Sequence, residues 1–204
     1  MYDDAHVIMI KNYLKVFDSP HIKYETEVPF NYYGTRGFVD LVEYPANPLA
    51  PLDIHEFETQ ILCLNELIRD VKSRFEYFPQ YLVKAKGLPQ PASVRLFLIL
   101  LNTKRNIEIV SENYRIFKAV LSDISNNNPP QKVCLAFYDP VRMVHFRKLI
   151  RVGDDKTDYR TLGFYPIDIS RTSKPTMLKI LIPSYINGQD LIRRYKEYIE
   201  KYGE

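Results

Sequence analysis

The stretches TRGFVDLVEY (residues 35–44) and LDIHEFETQ (residues 52–60) alternate like two short strands joined by a proline-rich loop. Each stretch carries acid within an apolar run: Asp40 in the first, and Glu56 and Glu58 in the second. Alternate residues of a strand face one way, so Glu56, Glu58 and Gln60 are expected on one face. A carboxylate in such a setting is costly unless it is paired or binds a metal. The acids therefore predict an oxygen-ligand site for a divalent cation such as Mg²⁺.

Asp40, a loop and then Ile-x-Glu-Phe-Glu resembles the core of the PD-(D/E)XK nuclease superfamily, with an Asp on one strand and Glu-x-Lys on the next. The lead-in from Arg36 to Asp40 is also similar to that family. The resemblance implies that Asp40 and Glu56 hold Mg²⁺ or Mn²⁺, with the backbone carbonyl of Phe57 as a further ligand. It also implies hydrolysis of DNA phosphodiester bonds by an endonuclease. In resolvase-like members an acid from the first helix or strand can complete the site, and Glu27 is such an acid here.

The departure from the family pattern is Glu58, which stands where the superfamily has Lys. Some restriction enzymes of this superfamily have Glu or Gln there and still cut DNA. Glu58 is then expected to act as a general base or to hold a second metal ion. For Gln60 there are two interpretations: contact with a phosphate or the attacking water, and solvation at the N-terminus of the next helix. Lys72 or Lys84 is an alternative source of the missing positive charge, and surface solvation is the other interpretation of these lysines. A further alternative places Glu56 or Glu58 on a solvent-facing edge strand and pairs Asp40 with Arg36.

The chain as a whole predicts one α/β domain of 204 residues. The expected order is α-β-β-β-α-β-α-β over about residues 3–138, which resembles a restriction-endonuclease-like mixed sheet flanked by helices. A helix over 60–78 is expected to end at Pro79, and another is expected over 111–123. Residues 139–204 are expected to form a C-terminal extension, with strands at 143–150, 161–169 and 177–182 and an amphipathic helix at 188–202.

Charge is unevenly distributed along the chain. Residues 1–60 hold four Lys/Arg against ten Asp/Glu, whereas the remaining residues hold 24 against 15. An acidic region beside a basic remainder suits a metal pocket next to a phosphate-binding surface. The candidate nucleic-acid contacts are Arg142, Arg147, Lys148 and Arg151. Ordinary uneven surface charge and a solvated strand face are the alternatives.

The sequence contains no run of 18 apolar residues and no signal pattern at its N-terminus, which predicts an intracellular, cytoplasmic protein without membrane contact. The compact size and Tyr/Ile-rich composition look similar to small nuclease-like proteins of archaeal viruses, which would place it in the host cytoplasm. A homodimer is a further expectation, with the last helix as its surface. The alternatives are a non-catalytic nucleic-acid-binding or assembly protein that keeps the fold, and a structural dimer.

Overall fold

The computed structural model describes residues 4–17, 23–45, 47, 49–123, 131–139, 164–167 and 172–181, together with 192, 193, 196, 197 and 200. The helices are α1 (Asp4–Phe17), α2 (Leu64–Lys84), α3 (Lys104–Glu112), α4 (Tyr114–Asp123) and α5 (Lys174–Leu181). The strands are β1 (Tyr24–Tyr32), β2 (Thr35–Glu43), β3 (Leu52–Glu58), β4 (Val94–Leu101), β5 (Gln131–Tyr138) and β6 (Phe164–Ile167). Within these ranges no helix is long and apolar enough to cross a membrane.

The six strands form one mixed sheet in the order β1-β2-β3-β4-β5-β6. Strands β1, β2 and β3 are an antiparallel meander, and β3, β4 and β5 run parallel to one another. Strand β6 returns antiparallel to β5, so part of the expected C-terminal extension belongs to the main sheet. Strand β3 lies between β2 and β4, which excludes the alternative that put Glu56 or Glu58 on an edge strand.

Helices cover both faces of the sheet, as the apolar runs of the central strands require. One face of the sheet, which we call the α2 face, packs against α2, α3, α4 and α5 through residues such as Val71, Phe78 and Phe117. The opposite face, which we call the α1 face, packs against α1 through residues such as Met9 and Tyr13. The molecule is therefore a three-layer α/β structure, and the central strands β3, β4 and β5 contribute buried residues to both faces.

Several expected boundaries are wrong. Helix α2 continues through Pro79 to Lys84, although a proline inside a helix removes one backbone bond at a cost of about 3 kcal/mol. Phe78 and Leu82 on either side of it are both buried against the sheet, and their packing offsets that cost. The single helix expected over 111–123 is two helices, which meet at Asn113.

In the last third, the strand expected at 177–182 is wrong, because residues 174–181 form α5. An apolar run of six residues suits a buried helix as well as a strand, and here Met177 packs on the α2 face. Strand β6 covers only part of the strand expected at 161–169. The strand expected at 143–150 lies outside the described residues, and the described positions within 188–202 are helical.

Candidate active site

Asp40 lies at an interruption in the pairing of β2 with β1, next to Leu41, where the pairing of β2 with β3 ends. The pairing of β2 with β1 skips it, because Val39 pairs with Val28 and Leu41 with Thr26. The residue opposite Asp40 on β1 is Glu27, which is exposed and has a φ of 52°. Left-handed backbone is uncommon for a residue other than glycine, so the interruption is a specific local feature.

This interruption also changes which face of the sheet successive β2 side chains pack on. Val39 and Val42 pack on the α2 face, whereas Leu41 packs on the α1 face, so the regular alternation restarts at Asp40. The Asp40 carboxylate then takes the place of a ladder partner: its Oδ2 accepts a hydrogen bond of 2.8 Å from the backbone amide of Phe57. Asp40 is thereby fixed against the backbone of β3, directly beside Glu56.

Glu56 projects from β3 onto the α2 face and is 2% exposed. Its Oε2 forms an ion pair of 3.1 Å with Nη1 of Arg74 on α2. The Nε of Arg74 donates a hydrogen bond of 3.0 Å to the backbone carbonyl of Phe38. The second oxygen, Oε1, is buried and has no hydrogen-bond partner among the residues that the structure describes. One oxygen of Glu56 is therefore neutralised and the other retains its lone pairs.

Glu58 adds a third carboxylate at the end of β3. Burial, and next the charge of Asp40, raise the pKa of Glu58 from 4.5 to about 7. Burial also raises the pKa of Glu56 well above its ordinary value, although Arg74 partly opposes that shift. Asp70 on α2 contributes further negative potential to both glutamates. Asp40, Glu56, Glu58 and Asp70 form what we term the carboxylate cluster.

Three basic side chains contact the carboxylate cluster in the described chain: Arg74, His6, and Arg69, whose Nε lies 3.1 Å from Oδ1 of Asp70. The His6 Nε2 on α1 lies 3.6 Å from Oδ1 of Asp40, and Arg74 is held by the cluster, which raises the pKa of its guanidinium against the effect of burial. Because Asp40, Glu56 and Glu58 share Arg74 and His6, a divalent cation would relieve repulsion at this site.

The donor set fits Mg²⁺ or Mn²⁺, which prefer oxygen ligands and need only one or two carboxylates when water completes the shell. The site is not a closed cage, however. Among the described residues, the set of three metal-binding side chains whose ligand atoms converge within 4.8 Å is Glu43, Asp53 and His55. The expected trio of Asp40, Glu56 and Glu58 is thus brought into one electrostatic cluster without forming such a set.

The other sequence-predicted residues contribute less here. Phe57 contacts the site through its amide, and ligation by its carbonyl stays a prediction. Gln60 is exposed and lies beyond the end of β3, so strand alternation does not place it on the same face as Glu56 and Glu58. Asp40 contacts His6 and Phe57, and the expected alternative partner Arg36 is exposed. The basic residues Arg142, Arg147, Lys148 and Arg151 lie outside the described residues.

Sequence reasoning missed Arg74 and His6. Arg74 follows Val71 by three residues and precedes Phe78 by four, so it belongs to the buried stripe of α2. His6 likewise precedes buried Met9 by three residues. A charged residue in an apolar stripe is the signal that would have found both. Lys72 and Lys84, the lysines considered instead, are exposed.

Asn106 on α3 fixes the loop that follows Glu58. Its Oδ1 accepts a hydrogen bond of 3.0 Å from the Ile61 amide, and its Nδ2 donates to the carbonyls of Thr59 and Leu101. Asn106 is fully buried. The carboxyl end of β3 is therefore braced against the end of β4, where ligands commonly bind in parallel sheets.

No protein-family model, curated protein or solved structure matches this chain. The class that fold and site define together is an α/β protein with a carboxylate cluster at the carboxyl end of a central strand.

Proposed function

We propose that this protein is a metal-dependent nuclease that hydrolyses DNA phosphodiester bonds, acting as an endonuclease. The proposal is carried by one observation: buried and half-buried carboxylates gather around the guanidinium of Arg74 at the carboxyl end of β3. Such an arrangement is costly in a metal-free fold, because burial without full compensation disfavours each charge. The motif resemblance around Asp40 and Glu56 supports the same conclusion.

In this proposal Asp40 and Glu56 hold Mg²⁺ or Mn²⁺. When bound, the ion would neutralise charge on the phosphate and acidify a water molecule for attack. Glu58, with a pKa of about 7, is suited to accept the proton of the attacking water at neutral pH. Arg74 supplies the fixed positive charge that the superfamily obtains from Lys, and its remaining N–H groups are available to a phosphate oxygen.

A second candidate function is non-catalytic binding of nucleic acid by the same fold. The Arg74–Glu56 ion pair favours it, because a guanidinium already neutralises part of the charge that a metal ion would otherwise balance. The two functions differ in one respect: a binding protein needs no divalent cation, whereas the nuclease requires one.

The deciding experiment is cleavage of plasmid and branched DNA in Mg²⁺ and in Mn²⁺ by wild type, Asp40→Asn and Glu56→Gln. Glu76→Gln on the exposed side of α2 is the matched control. We expect wild type and E76Q to cut, and both site variants to lose at least about 100-fold in rate while circular dichroism shows them folded. Equal cutting by D40N would overturn the proposal. DNA binding that survives EDTA, without cutting in any metal, would establish the second candidate.

A further inference from the structure

The opposite face of the sheet carries a second cluster of ionisable side chains. Glu43 at the end of β2 and Asp53 at the start of β3 are directly paired across the strands. His55 follows two residues later on the same face of β3. Potential ligand atoms of these three side chains all lie within 4.8 Å of one another. We refer to Glu43, Asp53 and His55 as the Glu43 cluster.

The orientation of His55 is fixed by contacts on both sides. Its ring is 1% exposed and stacks on Phe97, with centroids 4.7 Å apart and planes inclined by 14°. Its Nδ1 lies 3.2 Å from the hydroxyl of Tyr13 on α1. Tyr13 thus holds one ring nitrogen, as partners beyond the ligands commonly do for histidines that bind metal through the other nitrogen.

The other nitrogen, Nε2, is directed into the cluster. It is buried, lies 3.4 Å from Oε1 of Glu43, and has no hydrogen-bond partner within the described chain. A buried nitrogen without a hydrogen-bond partner is costly. With Nδ1 carrying the proton towards Tyr13, the lone pair of Nε2 would face carboxylate oxygens, and a cation between them would turn this repulsion into attraction.

Asp53 is already engaged by Arg95, yet it can accept more. The guanidinium of Arg95 contacts both oxygens of Asp53, with Nε 2.6 Å from Oδ1. Each carboxylate oxygen carries two lone pairs, so a bidentate arginine leaves one on each oxygen. Arg95 therefore orients Asp53 without closing it to a further partner.

We propose that the Glu43 cluster is a second metal site, which binds a divalent transition-metal ion of the zinc class. One imidazole with two carboxylates is a nitrogen and oxygen set that suits Zn²⁺ better than Mg²⁺. Two ligands of a tetrahedral Zn²⁺ lie about 3.4 Å apart, given bond lengths of about 2.1 Å. The separation of 3.4 Å between His55 and Glu43 matches that value, and the ligand atom of Asp53 lies within 4.8 Å of both.

This site is separate from the carboxylate cluster, so it does not depend on the proposed nuclease function. His55 and Glu56 are adjacent in sequence but project to opposite faces of the sheet. A metal ion here would join β2 to β3 directly, and would join both to α1 through Tyr13. Its role is therefore structural: it would hold the first helix against the meander that carries Asp40.

The test is Zn²⁺ titration of the full chain after removal of metal, by calorimetry and by elemental analysis after dialysis. The main variant is Glu43→Gln, because Glu43 is nearly isosteric with Gln and lies at the rim, with 12% of its side chain exposed. We expect wild type to bind one Zn²⁺ per chain and to gain thermal stability from it. E43Q should lose at least about tenfold in affinity and most of that gain.

Two control variants assign the ion to this site. Asp40→Asn removes an acid of the carboxylate cluster, and Cys63→Ser removes an exposed thiol that binds zinc readily. Both should retain the zinc site, and Co²⁺ should give the same visible spectrum in both as in wild type. The proposal is overturned if wild type takes up no Zn²⁺, or if E43Q binds it as tightly as wild type does.

Discussion

Arg74 and Glu56 form a buried ion pair of 3.1 Å between helix α2 and the centre of the sheet, directly below the carboxyl end of β3. Only one oxygen of Glu56 takes part, and the other has no hydrogen-bond partner in the described structure. The pair therefore has two consequences. It stabilises the metal-free fold, and it leaves a carboxylate oxygen beside Asp40 for another cation.

Replacing Arg74 by Met should destabilise the protein, because the change leaves the buried Glu56 carboxyl without its ion-pair partner. Removal of one member of a buried pair typically costs 3–5 kcal/mol. With a fifth of the Arg74 side chain exposed, we expect about 2–4 kcal/mol at pH 7.5 in EDTA. Urea denaturation followed by circular dichroism measures this loss.

The double variant Glu56→Gln, Arg74→Met is the control. It removes both charges, so it should recover a large part of the stability that R74M loses. Wild type, E56Q, R74M and the double variant together give the coupling energy between the two side chains. Equal stability of R74M and wild type, or purely additive effects, would show that the ion pair does not hold α2 to the sheet.

The pKa of Glu58 predicts how stability depends on pH. The folded pKa is raised from 4.5 to about 7, so the folded state binds this proton more tightly than the unfolded state does. The resulting stabilisation is present below about pH 4.5 and is lost as pH rises through 7. Relative to Glu58→Gln, wild type in EDTA should lose on the order of 3 kcal/mol between pH 4.5 and 7.5. If the free energy of unfolding changed with pH in the same way in both proteins, the raised pKa of Glu58 would be contradicted.

A divalent cation should counteract this loss. At pH 7.5, Mg²⁺ or Mn²⁺ at about 100 times its dissociation constant should stabilise wild type by about 2.7 kcal/mol. Asp40→Asn should gain much less, because it lacks the carboxylate that Phe57 holds against β3. Differential scanning calorimetry with and without EDTA gives both values, and equal gains in the two proteins would place the ion elsewhere.

The central sheet could be anticipated from the sequence because its signals are local. The nearly continuous apolar run at 94–101 favours a strand buried on both faces, and the acidic segments 35–43 and 52–58 alternate like strands. In two places the sequence pattern predicts the wrong structure: a helix end at a proline, and a strand at a short apolar run. Pro79 and residues 177–181 are helical because burial against the α2 face outweighs their local preference.

The candidate site was anticipated only where it lies in one segment. Asp40, Glu56 and Glu58 follow one another within 19 residues, so spacing alone could suggest them. Arg74 and His6 reach the site from helices on opposite faces of the sheet. Their role depends on tertiary packing, which has no counterpart in local periodicity. The left-handed backbone at Glu27, which frees Asp40 from the ladder, has no local signal such as glycine.

Asn106 provides the last prediction, because it links the end of the acidic strand to the rest of the fold. Asn106→Asp keeps the oxygen that accepts from the Ile61 amide but replaces the donor to the Thr59 and Leu101 carbonyls with a second acceptor. The buried carbonyl of Leu101 and the partly buried carbonyl of Thr59 then each lose this donor, and a carbonyl left unsatisfied costs about 1–3 kcal/mol. We expect N106D to lose at least about 2 kcal/mol in urea denaturation at pH 7.5.

Asn113→Asp is the matched control, since Asn113 is half-buried and its side chain donates to one carbonyl, that of Ile109. It should lose less than about 1 kcal/mol. The cost of N106D should also shrink at low pH, because a protonated carboxyl regains a donor. If the two variants lost stability equally at every pH, the loop after Glu58 would not depend on Asn106, and the position of Glu58 would have to be set by β3 alone.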